Sequence, residues 1–167
     1  MALAVCKGAT YLRLMTKAQI YKDVLEEIAA VIERETSQTA RYATASCLLA
    51  GRFDYFFWTG FYEVDPLKEA ELVVGPYQGT LGCLRIPFSR GVCGACATKK
   101  ETIIVRDVHA FEGHIACDSQ TNSEIVVPVL NAQNELIAVL DVDSTEFGSF
   151  DADDQAGLEA IAAILAV

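Results

Sequence analysis

The stretch CGACATKKETIIVRDVHAFEGH, residues 93 to 114, holds two cysteines and two histidines at the spacing C-x2-C-x12-H-x4-H. This is the ligand spacing of a small zinc finger, and it opens with the C-x-x-C of thioredoxin-like dithiols. A DNA-reading finger places its histidines on a helix and is basic. Here HAFEGH is typical of a loop, and the stretch has as many acidic as basic residues. We therefore predict no metal site at these four residues.

The C-x-x-C leaves a dithiol open as an interpretation. A cysteine that opens a helix is exposed to the helix dipole, which lowers the thiol pKa and favours the thiolate. A thioredoxin-like fold, however, puts this motif after an early strand, whereas Cys93 lies mid-chain and follows several predicted strands. The alternative is that Cys93 and Cys96 are small half-buried residues without chemistry.

Three carboxylates interrupt two apolar segments. Asp141 and Asp143 share one face of the predicted strand ELIAVLDVDS, because strand side chains alternate. At a separation of about 7 Å and an effective dielectric of about 20, they repel by roughly 2.4 kcal/mol. Glu124 opens the strand EIVVPV and comes close to both if the two strands pair through NAQN. The three acids predict a pocket for an ammonium group together with a proton donor, unless they are solvated strand ends.

Cys117 adds a nucleophile to these acids. It lies in the predicted loop HIACDSQTNSE, seven residues before Glu124. A cysteine beside candidate acids suggests thiol chemistry on a small, positively charged substrate. The alternative is a buried loop cysteine with no chemical role.

Composition limits the class of protein. With 167 residues and 52% apolar residues, the chain is predicted to form one compact domain. A net charge of −10 argues against partners such as nucleic acid or an anionic membrane. No apolar run approaches 18 residues, and MALAVCKGATYLRLM is a poor signal peptide. We therefore predict a cytoplasmic protein whose six cysteines are thiols, so that any disulfide would be transient and chemical.

Hydrophobic periodicity predicts the elements that must hold these groups. Residues 17–35 form a helix with Ile20, Val24, Ile28 and Val31 on one face, and Thr16 caps its start. A second helix over 39–52 and a last helix from near Asp151 flank the strands, and CGACATKK forms a short helix between them. Strands are predicted in YFFWTGFYEV, ELVVGPY, CLRIPF, ETIIV, SEIVVPVL and ELIAVLDVDS. The fold class is α+β, an about six-stranded and mostly antiparallel sheet with helices packed on it.

Four runs together resemble a known family, the free methionine-(R)-sulfoxide reductases, which are stand-alone GAF domains. These runs are FDYFFWTGFYEV, PYQGTLGCLRIPFSRGVCGACA, HIACDSQTNSEIVVPV and IAVLDVDSTEFGSFD. The resemblance covers residues 17 to about 165. It implies a GAF-like fold, with residues 16–167 as a single domain after an N-terminal extension (1–15), and a homodimer.

The resemblance also implies an activity, the reduction of free L-methionine (R)-sulfoxide in the defence against oxidative stress. No cofactor is bound, and thioredoxin, or dithiothreitol in vitro, is the reductant. The three functional cysteines of the family fall on Cys117, the expected nucleophile, Cys83, the main resolving partner, and Cys93, a second candidate resolver. Together with a sulfenic acid intermediate, this implies a redox-active disulfide within the chain.

The substrate pocket of the family matches five further positions. Glu124, Asp141 and Asp143 correspond to its polar side, and Trp58 and Tyr62 to its aromatic wall. Cys96 departs from the family, which usually carries a small residue other than cysteine there. The C-x-x-C is then the product of one substitution, and we expect Cys96 to be inert.

Two other classes of function compete with the reductase. A non-catalytic GAF module would bind a small molecule as a sensor, because a fold alone does not define a function. A thioredoxin-like enzyme would need Cys93 and Cys96 to form the working disulfide. The first has no need of three cysteines beside three acids, and the second is tested by mapping the disulfide.

Overall fold

The computed structural model describes residues 15–114 and 118–166. Its helices are α1 (Lys17–Ile32), α2 (Gln38–Ala50), α3 (Gly91–Lys99) and α4 (Ala152–Leu165), with a 3-10 turn at Val108–Ala110. Its strands are β1 (Trp58–Val64), β2 (Glu71–Gln78), β3 (Arg85–Pro87), β4 (Ile103–Val105), β5 (Ser123–Leu130) and β6 (Leu136–Ser144). They form one sheet in the order β3-β2-β1-β6-β5-β4, and each pairing between them is antiparallel. The predicted α+β class is confirmed.

The two faces of the sheet carry two separate apolar clusters. On one face, β1, β5 and β6 present Phe61, Ile125 and Leu140 to α1, α2 and α4. On the other face, the same strands present Trp58 and Val126 to α3. Alternate residues of each central strand are therefore buried on opposite sides, which explains the nearly continuous apolar runs in the sequence. None of the helices in the described part of the chain is long and apolar enough to cross a membrane.

Helix α1 begins as predicted, and its buried face includes the predicted Val24 and Ile28 together with Tyr21 and Ile32. The Thr16 side chain accepts a hydrogen bond from the Gln19 backbone N–H and caps the helix. The helix ends at Ile32 instead of residue 35, and Val31 is 61% exposed, so its predicted burial is wrong. The buried face is shifted toward Tyr21, because Gly157 in α4 leaves room for the Tyr21 ring. A Cβ atom at Gly157 would lie 2.1 Å from that ring.

The predicted hairpin of β5 and β6 is confirmed. The turn NAQN is closed by the Asn131 side chain, which accepts hydrogen bonds from the backbone N–H groups of Gln133 and Glu135. Asn134 adopts the left-handed conformation that such a turn needs and that asparagine tolerates. Residues 123 to 130 then pair with 136 to 144, and this register determines which side chains meet at the other end of the hairpin.

A buried carboxylate joins the first and last helices. Asp151 caps α4, and the Asp154 side chain accepts a hydrogen bond from the Asp151 backbone N–H at 2.8 Å. Asp154 is fully buried and also accepts from the Tyr21 hydroxyl at 2.9 Å, from the Tyr55 hydroxyl at 2.5 Å and from the Lys17 ammonium at 2.5 Å. This network therefore links α1 to α4, which are far apart in the sequence.

We expect Asp154→Ala to lower the free energy of unfolding by about 2–4 kcal/mol, because it leaves the buried Tyr21 hydroxyl without its acceptor. Lys17 loses its partner Asp154 but keeps its ion pair with Asp151. Urea unfolding monitored by circular dichroism measures the loss. Asp153→Ala, an exposed acid in the same helical turn, is the matched control and should cost less than about 1 kcal/mol. Equal losses in the two variants would contradict the network's role.

Candidate active site

The strand register brings the three predicted acids to one face of the sheet. Glu124 on β5 lies opposite Asp143 on β6, and Asp143 lies opposite Trp58 on β1. Asp141 lies two residues from Asp143 on the same side, between Val126 and Gly60. Because directly opposed residues of antiparallel strands point to the same side, all three carboxyl groups face α3 together with Trp58. The solvated alternative does not hold for Glu124 and Asp141, which are only 6% and 5% exposed.

Burial controls the protonation of these carboxyl groups. It raises the pKa of Asp141 from 3.8 to about 7. It raises the pKa values of Glu124 and Asp143 well above their ordinary range, and the charge of Asp141 raises both further. The site therefore holds protonated carboxyl groups near neutral pH, as a proton donor requires. The Asp141 Oδ1 atom is buried without a hydrogen-bond donor among the described residues.

Cys93 enters the site from the first turn of α3. Gly94 lets this helix approach β3, because a Cβ atom there would lie 2.5 Å from the Pro87 carbonyl oxygen. The Cys93 thiol is buried and lies 3.9 Å from Glu124 Oε1. Burial, followed by the charges of Asp141 and Glu124, raises the pKa of this thiol well above its ordinary value. The loss of solvent and, after it, the charges of the two acids therefore favour the neutral thiol over the thiolate that the dithiol interpretation needs.

Cys96 lies one helical turn beyond Cys93 and is fully buried in the apolar cluster beneath α3. Burial raises the pKa of its thiol strongly. Cys93 and Cys96 are both free thiols and are not joined to each other. This favours the inert interpretation of Cys96 over a working dithiol.

An aromatic wall faces the acids, as the two predicted aromatic positions require. The Trp58 ring stacks on Tyr62, with ring centroids 5.6 Å apart, and on Tyr77 at 5.1 Å. The Trp58 indole N–H donates to the Thr80 carbonyl oxygen at 3.1 Å, which fixes the ring against the loop between β2 and β3. Gly82 in that loop passes so close that a Cβ atom would lie 2.9 Å from the Tyr62 hydroxyl. The wall is therefore rigid and apolar.

These groups line one pocket of about 530 Å³, including its open mouth. Its lining includes six of the predicted site residues: Trp58, Tyr62, Cys93, Glu124, Asp141 and Asp143. Sequence reasoning missed the remaining lining residues, which come mostly from loops and from the start of α3: Leu81, Gly82, Ile86, Gly91, Val92, His114, Asp118 and Thr121.

Two of the missed residues are polar and could have been found. Asp118 directly follows Cys117 in the sequence, and its Oδ2 atom accepts a hydrogen bond from the Thr80 hydroxyl at 2.7 Å. This bond lowers the pKa of Asp118 and connects its loop to the loop of Cys83. His114 belonged to the rejected zinc pattern. Burial lowers its pKa, so it lines the pocket as a neutral imidazole.

The other two predicted cysteines lie in the loops at the mouth of the pocket or beyond the described residues. Cys83, between β2 and β3, is partly buried and disulfide-bonded. Its partner is none of the free cysteines Cys47, Cys93 and Cys96. Cys117 lies outside the described residues, but both His114 and Asp118, the described residues on either side of 115–117, line the pocket.

One group of side chains in the described ranges could hold a metal ion. Ligand atoms of Cys93, Glu124 and Asp141 lie within 4.8 Å of one another, and all three residues are buried. His109 of the zinc pattern is engaged elsewhere, with its Nε2 atom 3.0 Å from Asn122 Oδ1. This group contains one cysteine of the zinc pattern, Cys93, and neither of its histidines.

A six-stranded antiparallel sheet with helices on both faces and a pocket under α3 defines a class of small domains. The family model for the GAF domain matches residues 24–167, so the chain is a GAF domain.

The particular family follows from the relatives. The chain is 44% identical over 151 residues to the free methionine-R-sulfoxide reductase of Escherichia coli, covering 90% of this chain and 89% of that protein. It is 34% identical to the enzyme of the same name from Saccharomyces cerevisiae, covering 90% and 86%. The chain belongs to the free methionine-R-sulfoxide reductase family, as the resemblance predicts.

A solved structure extends the likeness to three dimensions. The free methionine-R-sulfoxide reductase from Neisseria meningitidis, in complex with its substrate, superposes on this chain with a TM-score of 0.85. The two sequences are 45% identical, and the match covers 90% of this chain and 89% of that one.

The raised pKa of Asp141 predicts how stability changes with pH. Between about pH 4 and pH 7 the folded protein keeps a proton on Asp141 that the unfolded chain has released, so the free energy of unfolding falls as pH rises through this window. Asp141→Asn removes the titration. We expect the variant to gain at least about 1.4 kcal/mol relative to wild type between pH 4 and pH 8.

Urea unfolding at pH 4, 6 and 8 measures this difference. Asp54→Asn replaces an exposed acid and should leave the pH dependence unchanged. Parallel curves for wild type and Asp141→Asn would show that Asp141 is ionised throughout.

Proposed function

We propose that the protein reduces free L-methionine (R)-sulfoxide to L-methionine by cysteine chemistry. The observation that carries the proposal is the pocket that buried carboxyl groups, some protonated, share with the Trp58 ring and the Cys93 thiol. The Neisseria relative, which was solved with its substrate, has the same fold at 45% identity.

Recognition of the substrate follows from charge. The ammonium group of the free amino acid binds among Glu124, Asp141 and Asp143, where a cation relieves the mutual repulsion of buried carboxylates. A methionine within a peptide lacks that charge and leaves the acids unpaired, so the pocket rejects it. Trp58 offers its apolar face to the methyl group at the other end of the substrate.

The first chemical step is an oxygen transfer. The Cys117 thiolate attacks the sulfoxide sulfur while a protonated carboxyl group of the pocket donates its proton to the sulfoxide oxygen. The hydroxyl group then passes from the substrate sulfur to the Cys117 sulfur while the transient sulfur–sulfur bond and the original sulfur–oxygen bond break. Methionine leaves with a neutral thioether side chain, and Cys117 becomes a sulfenic acid. The sulfoxide gains two electrons and the thiol loses two, so no cofactor is needed.

The second step restores the thiol. Cys83 condenses with the sulfenic acid of Cys117, and water leaves as the disulfide forms. An external dithiol, thioredoxin in the cell or dithiothreitol in vitro, then reduces the disulfide by thiol exchange. The disulfide carried by Cys83, a loop residue near the pocket, supports this role. Cys93 is the second candidate resolver, but its strongly raised pKa favours Cys83.

The setting of the enzyme follows from this chemistry. A cysteine that cycles between thiol and disulfide fits the cytoplasm, where thioredoxin keeps thiols reduced. Removal of free methionine sulfoxide would serve the response to oxidative stress. The homodimer implied by the family remains a prediction.

The alternative function is a GAF module that binds a small molecule and turns nothing over. The buried acids and the aromatic wall alone would suit such a module. The protonated carboxyl groups and the disulfide of Cys83 favour the reductase, since a passive sensor requires neither a proton donor nor a resolving thiol.

We expect turnover of one epimer only. With dithiothreitol as reductant, the purified protein should release methionine from the R epimer of free methionine sulfoxide and not from the S epimer, as amino-acid analysis measures. Cys117→Ser should lower this rate by on the order of 1000-fold or more, because it removes the nucleophile. Cys47→Ser, an exposed cysteine outside the pocket, is the matched control and should keep full activity.

No methionine from either epimer, with folded protein and reduced thiols, would favour the ligand-binding module. Full activity in Cys117→Ser would refute the assignment of the nucleophile.

Resolution by Cys83 predicts a specific pattern among the variants. Cys83→Ser should lose thioredoxin-driven turnover almost completely and accumulate a sulfenic acid on Cys117, which a dimedone label detects by mass spectrometry. Cys93→Ser should retain most thioredoxin-driven turnover, and Cys96→Ala should equal wild type. A Cys93–Cys96 disulfide in the peptide map of the oxidised protein would instead support the dithiol enzyme.

A further inference from the structure

When ionised, the acidic side chains of the site carry more negative charge than a single ammonium group can neutralise. The Cys93 thiol, Glu124 and Asp141 converge so that one ligand atom from each lies within 4.8 Å of the others. Asp141 is 95% buried, and its Oδ1 atom has no hydrogen-bond donor among the described residues. All three residues line the pocket.

We propose that Cys93, Glu124 and Asp141 form an inhibitory site for a thiophilic divalent cation, Zn²⁺ or Cd²⁺, which occupies the pocket in place of the substrate ammonium group. The competition with substrate rests on the function proposed above. The binding of the cation does not.

The ligand set selects the type of metal. One sulfur and two carboxylate oxygens suit zinc and cadmium, whereas Mg²⁺ and Ca²⁺ prefer all-oxygen ligands and more of them. Three protein ligands leave a fourth, tetrahedral position free for a water molecule from the pocket. The ligands come from α3, β5 and β6, whose packing in the apolar core leaves little freedom to rearrange around a larger oxygen shell.

Electrostatics explains why a divalent cation competes well with the substrate ammonium group. With the Cys93 thiol and both carboxyl groups ionised, the three ligands carry three negative charges, and Asp143 lies next to Glu124 across the sheet. An ammonium group neutralises one of these charges and a divalent ion neutralises two. The metal must displace the protons that burial retains on the ligands, and these protons pass to solvent.

The second cysteine of the C-x-x-C motif in α3 allows a matched control. Cys96 lies one helical turn from Cys93, is equally buried and free, but belongs to no group of converging ligands in the described ranges. Cys93→Ala and Cys96→Ala therefore remove the same atom from neighbouring turns of one helix. Only the first should abolish binding.

The experiment is a titration of the reduced, full-length protein with Cd²⁺ in a chelator-buffered solution, followed by the ultraviolet thiolate-to-cadmium charge-transfer absorbance. We expect one equivalent of cadmium in wild type, with the band lost in Cys93→Ala and kept in Cys96→Ala and Cys47→Ser. Asp141→Asn and Glu124→Gln should each raise the Kd by about tenfold or more while keeping the band. Circular dichroism confirms that each variant is folded.

Two further arms complete the test. Millimolar Mg²⁺ or Ca²⁺ should leave the cadmium band unchanged. Free L-methionine, which carries the same ammonium group and is not turned over, should raise the apparent Kd for cadmium linearly with its concentration. A band that persists in Cys93→Ala but disappears in Cys117→Ser, or a Kd unaffected by Asp141→Asn, would overturn the proposal. Failure of the proposed function would appear separately, as a normal cadmium band in a protein that releases no methionine from either epimer.

Discussion

The burial of several carboxyl groups on one face of an apolar sheet is the constraint on which the site depends. Glu124 and Asp141 are almost fully withdrawn from solvent, and no lysine or arginine of the described residues lines the pocket around them. Isolated buried carboxylates are very costly, so the folded state retains protons on them instead. Proton donation and cation binding both follow from the free-energy cost of burying a carboxylate. The rest of the domain has to be stable enough to hold the groups in place.

The scaffold supplies that stability from the opposite face. Three helices pack there around a large apolar cluster, and the Asp154 network connects the first of them to the last. The face with the pocket is covered by one short helix, α3, whose close approach depends on Gly94. The two faces of the sheet therefore have different roles. One side of the sheet provides most of the apolar burial, and the other is free to carry destabilising polar groups.

Sequence reasoning succeeded where a local pattern determines the structure. The hairpin of β5 and β6 follows from two apolar runs joined by NAQN, and its register brings Glu124 next to Asp143. It failed where tertiary contacts determine which side chains are buried and how their pKa values shift. The burial of Tyr21 depends on the space that Gly157, more than a hundred residues away, leaves for its ring. The pKa of the Cys93 thiol depends on its burial and on acids from β5 and β6. His114 and its neighbouring loops were missed because loop residues show no hydrophobic periodicity from which their position relative to the pocket could be predicted.

The protons stored in the pocket have a consequence for calorimetry. When a cationic ligand arrives at a carboxyl group that is still protonated near neutral pH, such as Asp141, a proton has to leave for the solution. The measured heat of association then includes the ionisation heat of whichever buffer takes up that proton. Titrations in phosphate and in Tris would report different enthalpies for the same complex, and their difference would count the protons that the empty pocket had been holding.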